Sequence, residues 1–193
     1  MSQQLILASA SPRRRDLLST LGLTFQVVTA EIEEIPLPHE APRDFALRVA
    51  EKKALVVGVK YPHAWVIGAD TVVVIEGAIL GKPRDRDDAK RMLQHLAGRE
   101  HVVITGYTLV KVADDKKVGG VEETRVKIDS LEERAIDWYV DTGEPLDKAG
   151  GYAIQGKGAF MVEWIEGSYT NVVGLPLCQI MRLLKDVGIV DIF

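Results

Sequence analysis

A single cysteine, Cys178, stands among 193 residues. A disulfide framework and a cysteine-based zinc cluster are both excluded, and a reducing cytosol is the expected setting. Charge of one sign is also scarce: 24 Lys and Arg against 28 Asp and Glu leave a net −4. The broad basic surface that drives non-specific nucleic-acid binding is therefore absent, and any anion site must be local. No apolar run approaches the roughly 18 residues of a spanning helix. The opening "LILA" is only strand-sized, with no basic region leading into an apolar stretch of signal length. These absences predict a cytoplasmic protein with neither a nucleic-acid nor a membrane partner. The four histidines, at 39, 63, 95 and 101, form no H-x-x-x-H pair and read as loop or surface residues. There is no G-x-x-x-x-G-K-[ST] loop, and "GKGAFM" lacks the last glycine of a dinucleotide fingerprint. Cys178, inside "PLCQIMRLL", reads as packed in a helix core.

What is present is a chain with 47% hydrophobic residues, enough for a substantial core. It shows no repeat, low-complexity tract or linker, which predicts one domain over residues 1–193. Leu5–Ala8 reads as a buried strand, with Ser11 and Pro12 as N-cap and first residue of a helix running to about Leu21. Phe25–Thr29 is β-prone, and Ala30–Pro42 is an acidic, proline-broken loop. A helix is predicted from Pro42 to about Tyr61, with Ala46, Val49, Ala50, Lys53, Ala54 and Val57 on one stripe. Ala64–Pro83 reads as strand, interruption, strand and a turn at Glu76–Gly77. A helix over Asp85–Ala97 follows, then paired strands at His101–Val112 and Val118–Ile128. Ser130 and Glu133 suggest a capping box for a helix to about Thr142, with Leu131, Ala135, Trp138 and Tyr139 on one face. "AFMVEWI" is strand-like, and Leu175–Val187 reads as a final helix. Crossovers beside hairpin-like pairs give an α/β class with a mixed sheet.

Four features resist a purely structural reading. Arg13, Arg14 and Arg15 occupy a helix start, where the macrodipole favours anions. Arginine adds planar charge-assisted donors there, so a phosphate site is expected ahead of the alternative, a solvated arginine face. Asp70 lies in "VIGADTVVVI", where a carboxylate is costly to bury unless paired, hydrogen-bonded or metal-bound; a functional role is expected ahead of the alternative, an Asp at a strand end capping a turn after Gly68. Lys53 interrupts an apolar stripe: it either snorkels outward or reaches a phosphate, and Lys82 in "GKP" carries the same ambiguity. The glutamates of "AEIEE" read as a solvated loop or, with a phosphate substrate, as partners of Asp70 around a divalent cation.

The segments "LILASASPRRRDLLSTLG", "IEE", "EKKA", "GADTVV", "GKP", "DKAGGYAIQG" and "GSYTNVVGLPL" follow one another in an order and spacing that resembles the Maf proteins. These are nucleoside triphosphate pyrophosphatases also described as septum-formation inhibitors. The resemblance covers Leu5 to about Leu184. It implies a Maf/ITPase-like fold, an elongated, curved mixed sheet with flanking helices and two lobes around a central cleft. It also implies hydrolysis of a nucleoside triphosphate to monophosphate and pyrophosphate with Mg²⁺, Mn²⁺ or Co²⁺. Phosphate-binding positions fall on Ser9, Arg13, Arg14 and Lys148, and catalytic ones on Asp70, Lys53 and Lys82. The cation would sit on Asp70 and Glu34. The resemblance implies that Asp70 acts as water-activating base, metal ligand or both. Arg13, Thr71 and Gln155 resemble the specificity set of the branch acting on dTTP and UTP, and the Gln155 amide can donate to and accept from a pyrimidine edge. The implied role is removal of unwanted or modified pyrimidine nucleotides. A non-catalytic nucleotide-binding regulator of septum formation is the rival reading, and a homodimer is implied by the resemblance alone.

Overall fold

The computed structural model describes residues 4–191 and has mixed α/β architecture. The chain opens with a crossover: β1 (Leu5–Leu7), α1 (Pro12–Ser19), then β2 (Gln26–Val27), which pairs parallel to β1. A second crossover through α2 (Pro42–Lys60) returns the chain to β3 (Trp65–Ile75) on the other side of β1, again parallel. Parallel neighbours need such helical crossovers, whereas antiparallel ones need only a turn. The turn at Glu76–Gly77 accordingly folds β4 (Ala78–Leu80) antiparallel onto β3. After α3 (Arg86–Leu96) come two long strands, β5 (Glu100–Lys111) and β6 (Lys116–Ile128). They are followed by α4 (Glu133–Asp141), β7 (Val162–Glu166), α5 (Tyr169–Val173) and α6 (Leu177–Asp186). The sheet order is β2-β1-β3-β5-β6-β7, with β4 beside β3. No helix among the described residues is long and apolar enough to cross a membrane.

Two compact units divide the described residues. The first covers 4–70, Thr105–Glu122 and 174–191, and the second Thr71–Ile104 and Glu123–Val173. In the first, Ile6, Ala8, Ala54, Val57, Ala64, Val66 and Val110 form a buried cluster. Every member of the predicted α2 stripe is buried, Lys53 included. The small residues of that stripe bring the helix backbone unusually near β3: a Cβ on Gly68 would lie 2.1 Å from the Ala50 carbonyl oxygen. In the second unit, Val73, Leu93, Leu96, Val126, Ile128, Tyr139 and Met161 anchor a larger core.

Several expectations are corrected. There is no interruption between two strands at residues 68–70, because β3 runs unbroken through them. Gly68 serves close helix–strand contact and not a turn. Ser130 and Glu133 form no capping box. Glu132 is the N-cap of α4 and makes no side-chain cap bond, while the Ser130 N–H donates to the Asp129 carboxylate at 2.6 Å. With the helix starting later, its buried stripe is Ile136, Tyr139 and Val140, and Trp138 is left 53% exposed, edge-on to Phe160 at 5.8 Å. Helix α1 ends at Ser19, where the Thr20 hydroxyl donates back to the Leu17 carbonyl. In "AFMVEWI" the strand begins only at Val162, running on to Glu166, and the preceding residues form a 3₁₀ turn.

Cys178 is exposed, not core. Helix α6 buries Ile180 and Leu184, and a residue two positions before Ile180 falls on the opposite side. His101 reverses the other way: it is buried on β5, with Nε2 2.7 Å from the Tyr152 hydroxyl and the rings edge-to-face. Strand β5 is buried along most of its length, so the His101 ring lies inside. Burial holds it neutral, with its pKa pushed down to about 4.

Candidate active site

The strongest concentration of buried charge lies in the first unit and is built by α2 and β3. Lys53 is the residue of the alanine-rich α2 stripe that reaches past the packed backbone. Its ammonium donates to Asp70 Oδ1 at 2.7 Å, in the middle of a strand that is apolar apart from Asp70 and Thr71. The same Nζ lies 2.7 Å from Glu34 Oε1, in the acidic loop between β2 and α2. Asp70 is 5% exposed and Lys53 is 7% exposed, whereas Glu34 is open to solvent. A buried carboxylate of this kind persists only with compensation, and Lys53 supplies it directly. Desolvation pushes the Asp70 pKa up, while the Lys53 ammonium and the Arg14 guanidinium pull it back. The result is a carboxyl raised above its ordinary value yet surrounded by cations, the condition in which a carboxylate becomes a useful base.

Helix α1 contributes the arginines. Ser11 caps it, its side chain accepting from the Arg14 N–H, and Pro12 fills the first turn, which contains no acidic residue. Arg14 is buried: Nε donates to the Gly174 carbonyl at 2.7 Å, and an η nitrogen reaches the Ser9 hydroxyl at 3.4 Å. The Ser9 oxygen also accepts the Ser11 N–H at 3.2 Å, so Ser9 joins the helix start to the guanidinium. Burial lowers the Arg14 pKa, against the opposing pull of Asp70 and Glu34 and with that of Arg13. Arg13 is half-buried on the same first turn. Arg15 departs from the trio: it is exposed and paired with its neighbour Asp16 at 3.0 Å.

Ser9, Arg14, Glu34, Lys53 and Asp70 are thus joined by hydrogen bonds, ion pairs or mutual electrostatic influence within one unit. Arg13 belongs to the same unit, and the remaining predicted residues belong to the other. Thr71 is half-buried, next after Asp70 on β3. Lys82 is exposed just after β4. Lys148 donates to the Glu144 carbonyl at 3.2 Å and pairs with the Asp147 carboxylate. Gln155 is half-buried ahead of a short 3₁₀ turn, Gly156–Met161. Sequence reasoning does not single out Glu144. Its partners are chiefly backbone N–H groups, which leave no mark in a residue pattern.

The donor set suits a hard divalent cation only in part. Asp70 and Glu34 converge on one point, now taken by the Lys53 ammonium, and no group of three or more His, Cys, Asp or Glu side chains gathers among the described residues. Two carboxylates are what Mg²⁺ commonly takes from protein when phosphate oxygens and water complete its shell.

Comparison with known proteins agrees with this arrangement of segments. Residues 4–187 match the family described as Maf-like protein. A Geobacter metallireducens protein named dTTP/UTP pyrophosphatase is 49% identical over 187 residues, covering 97% of each chain. One of the same name from Thermoanaerobacter sp. is 51% identical over 183 residues, covering 94% of this chain and 95% of its own. Among solved structures, the Staphylococcus aureus Ham1 protein is similar in fold alone, with a TM-score of 0.51 at 11% identity over 96% of this chain and 97% of its own. With a match running through nearly every described residue, the chain belongs to the Maf-like protein family.

Proposed function

We propose that this chain hydrolyses dTTP and UTP, and modified pyrimidine relatives of them, to the monophosphate and pyrophosphate. It would act in the cytoplasm as one catalytic domain over residues 1–193. Relatives about half identical over almost the whole length carry the corresponding name, which supports the substrate class. The observation that carries the chemistry is Asp70, a carboxylate buried in an apolar strand against Lys53 and within the field of Arg14.

In this reading Arg13, Arg14, Ser9, Lys82 and Lys148 bind the triphosphate. The guanidiniums do so as planar, charge-assisted donors and the ammoniums as point charges. Asp70 takes a proton from water as the water oxygen bonds to the α-phosphorus. The bond from that phosphorus to the α,β-bridging oxygen then breaks, and pyrophosphate leaves. Lys53 keeps Asp70 ionised before the step and offsets charge on the phosphates. A divalent cation such as Mg²⁺, Mn²⁺ or Co²⁺, held by Asp70 and Glu34, would supply further charge neutralisation at the phosphoryl group. Gln155 reads the pyrimidine edge, with Arg13 and Thr71 completing the specificity set. A regulator that merely bound nucleotide would gain nothing from a buried carboxylate facing a polyanion.

Purified protein assayed against the common ribo- and deoxynucleoside triphosphates, with Mg²⁺, Mn²⁺ and Co²⁺ in turn, should release pyrophosphate fastest from dTTP and UTP. Orthophosphate as the only product, or no preference for these two, would refute the proposal.

A further inference from the structure

Gln155 has no hydrogen-bond partner for its side-chain amide among the described residues, so its position is set by its own backbone. That backbone is tied down on both sides by two residues that sequence reasoning gives no such task. Glu144 follows α4. Its Oε2 accepts the Lys157 N–H at 3.1 Å, and its Oε1 accepts both the Gly158 N–H at 3.0 Å and the Tyr139 hydroxyl at 3.0 Å. The Tyr139 oxygen in turn accepts the Ala153 N–H at 3.2 Å. One carboxylate–phenol pair therefore grips residue 153 on one side of Gln155 and residues 157 and 158 on the other.

The surrounding chain is shaped around that pair. Gly156 has φ +73°, and a Cβ there would meet Glu144 Oε2 at 2.8 Å. A Cβ on Gly158 would lie 2.6 Å from the Tyr139 oxygen. Tyr139 is fully buried, so its hydroxyl has no water to fall back on. Burial pushes the Glu144 carboxyl up, but the N–H groups of Gly158 and Lys157 and the Tyr139 hydroxyl outweigh it and hold the group below its ordinary value. The carbonyl of Glu144 also receives the Lys148 ammonium, so one residue organises both a proposed phosphate ligand and the proposed base reader.

We propose that Glu144 and Tyr139 are positioning residues that fix the reach of Gln155, and with it the choice among nucleotide bases. This rests on the reading of Gln155 as the base-contacting residue. Misplacing a recognition group by a fraction of a hydrogen-bond length removes discrimination before it removes turnover, because the wrong base loses less than the right one.

The test measures kcat/KM with dTTP, dCTP and dGTP for wild type, Tyr139→Phe, Glu144→Gln and, as reference, Gln155→Ala. Tyr139→Phe and Glu144→Gln should each lower the dTTP preference by roughly tenfold, in the same direction as Gln155→Ala. Hydrogen exchange should quicken at the Lys157 and Gly158 amides in Glu144→Gln and at the Ala153 amide in Tyr139→Phe. If Gln155→Ala shifts the preference while both other variants keep the wild-type ratios, or lose activity equally on all three substrates, the positioning role is refuted and the Gln155 reading stands. An unchanged preference in Gln155→Ala refutes that reading and this inference with it. Should Glu144→Gln fail to fold, Tyr139→Phe, which deletes a single oxygen, decides the question alone.

Discussion

Replacing Asp70 by Asn keeps the shape of a 5%-exposed side chain and removes its charge. The consequences separate cleanly. For stability, removing one member of a buried ion pair costs about 3–5 kcal/mol when the survivor is left unpaired. Lys53 is not left unpaired, since Glu34 lies 2.7 Å from the same ammonium, so the loss should sit at or below the low end of that range. For binding, the variant faces a polyanion with one negative charge fewer, and affinity for a non-hydrolysed triphosphate analogue should hold or improve. For turnover, a positioned base contributes roughly 10²–10⁴-fold, and Asn cannot accept the proton. The expected result is a folded protein with retained analogue binding by calorimetry and pyrophosphate release slowed by at least about a hundredfold. The pH dependence should change as well. Asp70 is raised above its ordinary pKa, so wild-type turnover falls as pH drops through that raised value, and the variant's residual rate should lack this limb. A variant turning over within tenfold of wild type, with the acid limb intact, would remove Asp70 from the chemistry.

Two further outcomes follow from packing and burial. Gly68→Ala places a methyl group 2.1 Å from the Ala50 carbonyl oxygen and should destabilise by about 1–3 kcal/mol, read as a lower urea midpoint. An unchanged midpoint would mean that α2 does not lie as close to β3 as described. His101 is neutral in the fold, with a pKa of about 4 against an ordinary 6.5. The unfolded chain therefore binds the extra proton first, and stability is lost as pH falls from about 6.5 to about 4, by on the order of 2–3 kcal/mol. Subtracting the stability curve of His101→Gln from that of wild type should isolate this slope, and parallel curves over the interval would refute it.

Much of the candidate site was legible because charge in the wrong place is a local signal. Lys53 within an alanine stripe, Asp70 within valines and arginines at a helix start each violate the pattern around them, and such violations mark function or its compensation. The α2 stripe could be read to the residue because helical periodicity needs no knowledge of the partner. The errors share a different origin. Gly68 looked like a break because a glycine in a strand has two meanings, a turn or a close approach, and only the position of Ala50 decides between them. Trp138 and Cys178 went to the wrong side because the start and angular setting of α4 and α6 depend on what they pack against.

Glu144 was beyond reach for a deeper reason. A carboxylate bonded to another side chain leaves a pair of residues that a reader can match, but one bonded to the N–H groups of Lys157 and Gly158 leaves none, since every residue except proline offers the same donor. Only the flanking glycines betray it. Gly156 and Gly158 leave room for the Glu144–Tyr139 pair, where a Cβ would collide with it. The glycine-rich stretch around Gln155 is thus better understood as the clearance around an anchored carboxylate than as slack, and rigidity in this loop comes from the Glu144–Tyr139 pair for which the glycines make room.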